Sequence, residues 1–224
     1  MPVPTLDSRP VGRARTRPLL AGLAAAFVLL LALVAGDWGP LDSADETVAT
    51  ALHDSAVSSP GWTETARVLT DWVWDPWTMR ALLLAAAAWL LWRGERFLAG
   101  WILATGAVGW VLQQGLKAAV GRERPRWPDP VDSAQYAAFP SGHAMSAVVT
   151  CGLLLWLLHQ YGPPRRLWTA ACSLAAVSVL GVGLTRLYLG VHWLSDVVGG
   201  WLLGAVVVGG SLVAYERLGL GSRS

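Results

Sequence analysis

Charge is what this sequence has least of. Asp, Glu, Lys and Arg make up 14% of its 224 residues, against about 25% in an ordinary soluble domain, whereas 54% are hydrophobic. That composition argues against a water-soluble globular domain, and the length suits one domain. Lysine is almost missing: Lys117 is the only one among 17 basic residues. A net charge of +2, with no basic run interleaved with aromatics, speaks against a nucleic-acid partner. Cysteine is scarce too. Cys151 and Cys172 both lie inside apolar runs, so they read as small buried hydrophobes and supply neither a disulfide framework nor a metal site. No internal repeat or low-complexity tract interrupts the chain.

What is present is a series of long apolar runs. A bilayer core of about 30 Å needs roughly 20 residues of apolar helix. Six stretches meet or approach this: Pro18–Gly36, Pro76–Trp92, Phe97–Gln114, Ala144–His159, Leu167–Leu184 and Leu194–Tyr215. They predict an all-α fold, a polytopic membrane bundle of about six transmembrane helices in a domain spanning 18–215, with cytoplasmic tails at 1–17 and 216–224. The second run is the weakest, because Asp75 and Arg80 stand at its start, although Arg80 can snorkel to the interface. Many of the 14 tryptophans fall near run ends, where an amphipathic ring suits the headgroup level. The first run has a second reading, a secretory signal cut after Val34-Ala35-Gly36, but it exceeds the ~7–15 residues of a signal core. Both readings put Asp37 on the far side of the membrane.

Arginine sets the orientation. Arg9, Arg13, Arg15, Arg17, Arg93, Arg96, Arg165, Arg166, Arg217 and Arg223 fall on one side of a six-span layout, which the positive-inside rule makes cytoplasmic. The opposite side receives the Asp37–Asp75 segment, rich in acids and holding the single base Arg67. Its pieces LDSADETVATALHDSA and GWTETARVLTDWVW have helical spacing and are expected along the outer surface. Lys117, Arg122, Arg124, Arg126 and Arg186 break the rule by falling on that outer side, and an anionic ligand is the natural reason. For Arg122 and Arg126 the expectation is solvated loop residues.

Three polar clusters occupy the same face. In KAAVGRERP, Lys117 closes the third run and Arg124-Pro125 follows; a compact ammonium and a planar guanidinium fork both suit phosphate oxygens. In PSGH, residues Pro140 to His143, Ser141 and Gly142 open a helix whose first N–H groups lack intrahelical partners, a ready anion site that glycine lets a ligand approach. In TRLYLGVHWLSD, Arg186 is followed by His192 and then Asp196 four residues on. On a helix that pair shares a face, so the carboxylate can hold one ring nitrogen while the other is free to attack. His143 then stands where a leaving oxygen needs a proton. Taken singly, each residue has a plain structural reading, as a cap, an interfacial anchor or an i,i+4 hydrogen bond. Several on one membrane face argue for a shared ligand. His53 and His159 have no such setting and read as ordinary interfacial residues.

KAAVGRERP, PSGH and TRLYLGVHWLSD resemble, in order and internal spacing, the three signature motifs of the type-2 phosphatidic acid phosphatase superfamily, in its integral-membrane branch. The resemblance implies a six-helix bundle and hydrolysis without cofactor or metal through a phosphohistidine. Lys117, Arg124, Ser141, Gly142 and Arg186 would bind the substrate phosphate, His143 would be the acid, and His192 the nucleophile oriented by Asp196. One departure is Thr185 before Arg186, where the family usually has serine; the hydroxyl is kept. The implied partners are a membrane lipid phosphate and the bilayer, the implied face is extracytoplasmic, and the oligomeric state is left open. Phosphatidic acid, phosphatidylglycerol phosphate and undecaprenyl diphosphate would present the same anion, so the sequence does not choose among them. Two other readings stay open: a lipid phosphotransferase using the same site, and a non-enzymatic lipid-phosphate binding or transport protein. A soluble vanadate-binding haloperoxidase, which shares the superfamily's motifs, is disfavoured by the apolar runs.

Overall fold

The computed structural model describes residues 13–218. The helices are α1 (Arg13–Ala35), α2 (Gly39–Ser58), α3 (Pro60–Val68), α4 (Pro76–Trp92), α5 (Arg96–Val120), α6 (Gly142–Gln160), α7 (Arg165–Tyr188) and α8 (Leu194–Arg217), with a π-helical turn at Leu69–Val73 after α3. No strand occurs among the described residues. Residues 1–12 and 219–224 of the expected tails (1–17 and 216–224), with Arg9 and Arg223, lie outside the described residues.

Helices α1, α5, α6, α7 and α8 are long and apolar enough to cross a membrane. The sixth expected span is α4, which at 17 residues is about 25 Å long and sits at the short end of the spanning range. The polar start that weakened this run in the sequence is its helix cap. The Asp75 carboxylate accepts from the N–H of Trp77 at 2.6 Å and of Thr78 at 3.4 Å, and Pro76 takes the first position, where no N–H is needed. Helices α2, α3 and the π turn cover one end of the bundle, as the spacing of the acidic segment predicts.

Helix α6 is the axis. It packs against α4, α5, α7 and α8, and α1 closes the bundle against α8. The main core draws Phe27 from α1, Leu83 and Leu90 from α4, Ile102 from α5, Leu153 and Trp156 from α6, and Leu203 and Val207 from α8. Lipid tails are as apolar as leucine, so helices in a bilayer associate by close van der Waals fit. The α6–α8 seam has that character. A Cβ at Gly200 would come within 2.6 Å of the Ser141 carbonyl, and one at Gly204 within 2.9 Å of Val148 Cβ. One turn further, a Cβ on Gly152 would stand 3.1 Å from a Val208 methyl. This seam holds the first turns of α6 and α8, and with them two of the three motifs, side by side.

Trp62, Trp72, Trp77 and Trp92 are exposed, as belt residues are, whereas Trp74 and Trp156 are buried. Cys151 and Cys172 are free thiols, half-buried rather than fully buried as the sequence suggested; they occupy helix faces that the bundle only partly covers.

Candidate active site at one end of the bundle

Lys117 sits in the last turn of α5, Gly142 and His143 open α6, Arg186 is in the last turn of α7, and Asp196 is in the first turn of α8. The up-and-down order of the helices brings all these termini to the end covered by α2 and α3. Gly121 stops α5 in a left-handed conformation (φ 62°), its N–H on the Lys117 carbonyl at 3.0 Å. A side chain would be strained there. The chain then crosses the bundle through residues 122–141.

A cavity of about 570 Å³ has Lys117, Arg124, Gly142, His143, Arg186 and His192 in its wall. Ser141 and Asp196, both fully buried, lie behind it. All three sequence clusters therefore meet.

His192 is 1% exposed and belongs to no helix. It stands in the turn between α7 and α8, after Gly190 (φ 66°), whose bare Cα admits the Trp127 indole that a Cβ would meet at 2.5 Å. The expected helical i,i+4 geometry with Asp196 is thus replaced by a capping geometry. Asp196 folds back over the start of α8: Oδ2 accepts from the Trp193 N–H at 2.9 Å and faces His192 Nδ1 at 3.3 Å. On the other ring edge, Nε2 lies 3.1 Å from Arg124 Nη1. A guanidinium can only donate. Nε2 is therefore the acceptor, and Nδ1 carries the proton toward Asp196. Burial first, then the positive charges of Arg124, Arg186 and Lys117, hold the imidazole pKa well below its ordinary value, so the ring is neutral with its lone pair toward the cavity.

The three cations are held in different ways. Lys117 Nζ donates to the Ala137 carbonyl. Arg124 donates to the carbonyls of Tyr136 at 2.9 Å and Gln135 at 3.2 Å, and also to that of Val191. Burial, then Arg186, lowers the Arg124 pKa to about 10, which leaves it charged at neutral pH. Arg186 is 4% exposed yet loosely partnered, with Nη1 at 3.4 Å from Thr70 Oγ1, 3.8 Å from Asp132 and 3.9 Å from Asp71. Arg186 Nε and Ser141 Oγ are buried without a hydrogen-bond partner among the described residues. The Ser141 N–H donates to the Asp196 carbonyl at 2.9 Å, so it ties α6 to α8. Gly142 is needed for a neighbour as well: the Gln113 amide packs on it, and a Cβ would stand 2.9 Å from Gln113 Nε2. Thr185 gives its hydroxyl to the Val182 carbonyl at 2.9 Å, within its own helix.

Arg122 corrects the sequence reading. It is no solvated loop residue but the hub of a carboxylate cluster in which Asp45 and Asp196 are buried and Asp42 is half-exposed. Nη1 donates to Asp196 Oδ1 at 2.9 Å and to Ser195 Oγ at 2.5 Å; Nη2 donates to Asp45 at 2.9 Å and Asp42 at 3.2 Å. Asp45, 1% exposed, also accepts from the Ser195 N–H at 2.8 Å. Burial opposes the charge on Arg122, but Asp196 and Asp45 more than offset it and raise its pKa. Its partners lie far off in sequence, and only its position against the positive-inside rule marked it. Arg126 is exposed beside Glu123, as expected. His53 departs from expectation: it is buried, stacked at 4.0 Å on Trp127, with Nε2 3.4 Å from Asp129. His159 is half-buried at the end of α6, its ring tilted against Trp168.

A second, mainly apolar cleft of about 370 Å³ runs between α4, α5 and α6, and shares Trp77, Arg80, Trp110, Gln113 and Ser146 with the polar cavity.

A cavity walled by Lys117, Arg124, Arg186 and two histidines, joined to an apolar cleft in a bundle with five helices long and apolar enough to cross a membrane, belongs to a multi-pass membrane protein. The PAP2 superfamily profile matches residues 96–219, and the chain belongs to that superfamily. It is similar to phosphatidylglycerophosphatase B of Bacillus subtilis (33% identity over 43% of this chain and 48% of that protein). It is also similar to an undecaprenyl-diphosphatase of Sulfolobus acidocaldarius (37% over 35% and 32%). Those two matches span half or less of each relative. A decaprenylphosphoryl-5-phosphoribose phosphatase of Mycobacterium tuberculosis is 35% identical over 71% of this chain and 84% of that protein. The crystal structure of the transmembrane PAP2 type phosphatidylglycerolphosphate phosphatase from Bacillus subtilis superposes with a TM-score of 0.79, over 89% of this chain and 96% of that one, at 24% identity. The fold is shared.

Proposed function

We propose that the protein is a metal-independent phosphatase of membrane lipid phosphates or polyprenyl diphosphates, acting through a phosphohistidine on His192. The observation that carries this reading is the setting of His192: Asp196 faces Nδ1, Arg124 meets Nε2, and Lys117 and Arg186 share the same cavity wall. Simple anion binding does not need that arrangement. Lys117, Arg124 and Arg186 hold the phosphoryl oxygens, and the buried, unpartnered Arg186 Nε and Ser141 Oγ are donors that a phosphate would satisfy. Gly142, at the start of α6, offers its backbone to the same anion.

His192 Nε2 attacks phosphorus in line. The N–P bond forms as the bond to the lipid oxygen breaks, and His143 gives that oxygen a proton. A water then attacks the phosphoryl group, returns a proton to His143 and frees Nε2. The cations act where charge is redistributed in both steps, while the Asp196 carboxylate balances the positive charge on the phosphorylated ring. The lipid tail lies in the apolar cleft between α4, α5 and α6, which joins the cavity directly. Arg93, Arg96, Arg165 and Arg166 stand at the opposite end of a six-span domain covering 18–215. The positive-inside rule makes that end and both tails cytoplasmic and the site extracytoplasmic.

The test is phosphate release by the purified protein in lipid. His192→Gln is expected to lower turnover by roughly a thousandfold or more with the helical fold intact, and the wild type is expected to keep its activity in EDTA. A His192→Gln protein that still turns over substrate would overturn the nucleophile. Activity lost in EDTA and restored by Mg²⁺ would overturn metal independence.

A further inference from the structure

Arg80 is a charge in an expensive place. It lies in the second turn of α4, one of the six expected spans, and it lines both the apolar cleft and the polar cavity. Its guanidinium lies over the Trp77 ring at 4.7 Å from the centroid and beside the Trp110 ring at 6.0 Å. Stacking of this kind steadies the flat ion and leaves its N–H edge free. Among the described residues Arg80 makes no salt bridge and no side-chain hydrogen bond. Snorkelling alone would account for a cation near a helix end, but not for one seated at the junction of two cavities. Ionisable groups at membrane depth usually face a ligand or a wet cavity.

Helix α5 gives the position of Arg80 relative to the chemistry. Trp110, Gln113, Gln114 and Lys117 all line the polar cavity, and their spacing sets them along one face. From Trp110, against which Arg80 rests, to Lys117 is about 10 Å of helix axis. Arg80 therefore sits on the tail side of the scissile phosphate. The other charged groups outside the catalytic set on this wall, Asp71, Asp75 and Asp132, belong to the outer segments and repel a second anion there.

We propose that Arg80 binds a second anionic phosphate placed between the scissile phosphoryl group and the lipid tail, and that the enzyme prefers such two-phosphate lipids to a simple phosphatidate. The inference rests on the phosphatase reading above. Its ligand is either a diphosphate or a phosphodiester separated from the scissile group by a short polyol or sugar.

The experiment compares kcat/KM of wild type, Arg80→Gln and Arg80→Lys in nanodiscs. The three substrates are undecaprenyl diphosphate, phosphatidylglycerol phosphate and phosphatidic acid. Arg80→Gln is expected to lower kcat/KM on at least one two-phosphate lipid by roughly tenfold or more beyond its loss on phosphatidic acid. The loss should fall mainly in KM, and Arg80→Lys should recover part of it. Which two-phosphate lipid suffers distinguishes the directly linked from the spaced ligand. Equal losses on all three substrates, or no loss, overturn the role of Arg80 and leave the phosphatase reading standing. No phosphate release from any substrate by the wild type overturns that reading, and the inference with it.

Discussion

The guanidinium of Arg122 ties the outer helix α2 to Asp196. In the proposed mechanism the fully buried Asp196 serves His192 only if its remaining oxygen has a donor; Arg122 donates to that oxygen at 2.9 Å. Removing one member of a buried ion pair costs about 3–5 kcal/mol, because the other charge is stranded. Outer partners of this kind change activity about 10–100-fold in metal sites, and a similar loss is reasonable for a histidine held by a carboxylate. Arg122→Lys keeps a charge but loses the fork, so turnover should fall about that much while inhibition by inorganic phosphate stays within a few-fold. Steady-state kinetics with phosphate as inhibitor measure both. A variant with wild-type kcat would remove Arg122 from the mechanism. The residue escapes a sequence reading because Asp45, Asp42 and Asp196 are all distant in the chain; the candidate site was legible because each motif is local, and the structure brings the three motifs to one cavity.

At the scale of elements, the α6–α8 contact governs whether the motifs meet. The apolar runs were legible as helices from length and hydropathy, and the outer helices from their spacing. Which faces touch was not, since a glycine in an apolar run looks the same whether it meets lipid or a neighbour. Gly204 faces Val148 Cβ at 2.9 Å and the Met145 carbonyl at 3.2 Å from an added Cβ, leaving no room for a larger side chain. Gly204→Leu should push the helices apart and lower thermal stability, with a cost of about 1–3 kcal/mol for overpacking. Gly210, whose Cβ would meet nothing within 4 Å, is the matched control. Thermal unfolding in detergent that did not separate the two variants would remove the seam as a determinant of the bundle. The His192–Asp196 pair teaches a related lesson: its four-residue spacing is real, but a turn followed by a helix cap uses that spacing differently from a continuous helix.

For the whole molecule, the chief consequence is vectorial. All the site residues share one end, and the arginine-rich turns Arg93–Arg96 and Arg165–Arg166 share the other. With Cys151 and Cys172 replaced by alanine, Ser133→Cys in the exposed crossing loop should react with a membrane-impermeant maleimide on intact cells. Glu95→Cys, between α4 and α5, should react only after lysis. The reverse pattern would turn the site toward the cytoplasm. The family profile begins at Arg96, whereas Asp42 and Asp45 come from α2. A fragment trimmed to the signature-bearing stretch would therefore keep every motif residue and lose the acceptors that steady Arg122 and Ser195. Transplanting those motifs into another helical scaffold should fail unless an equivalent of α2 travels with them.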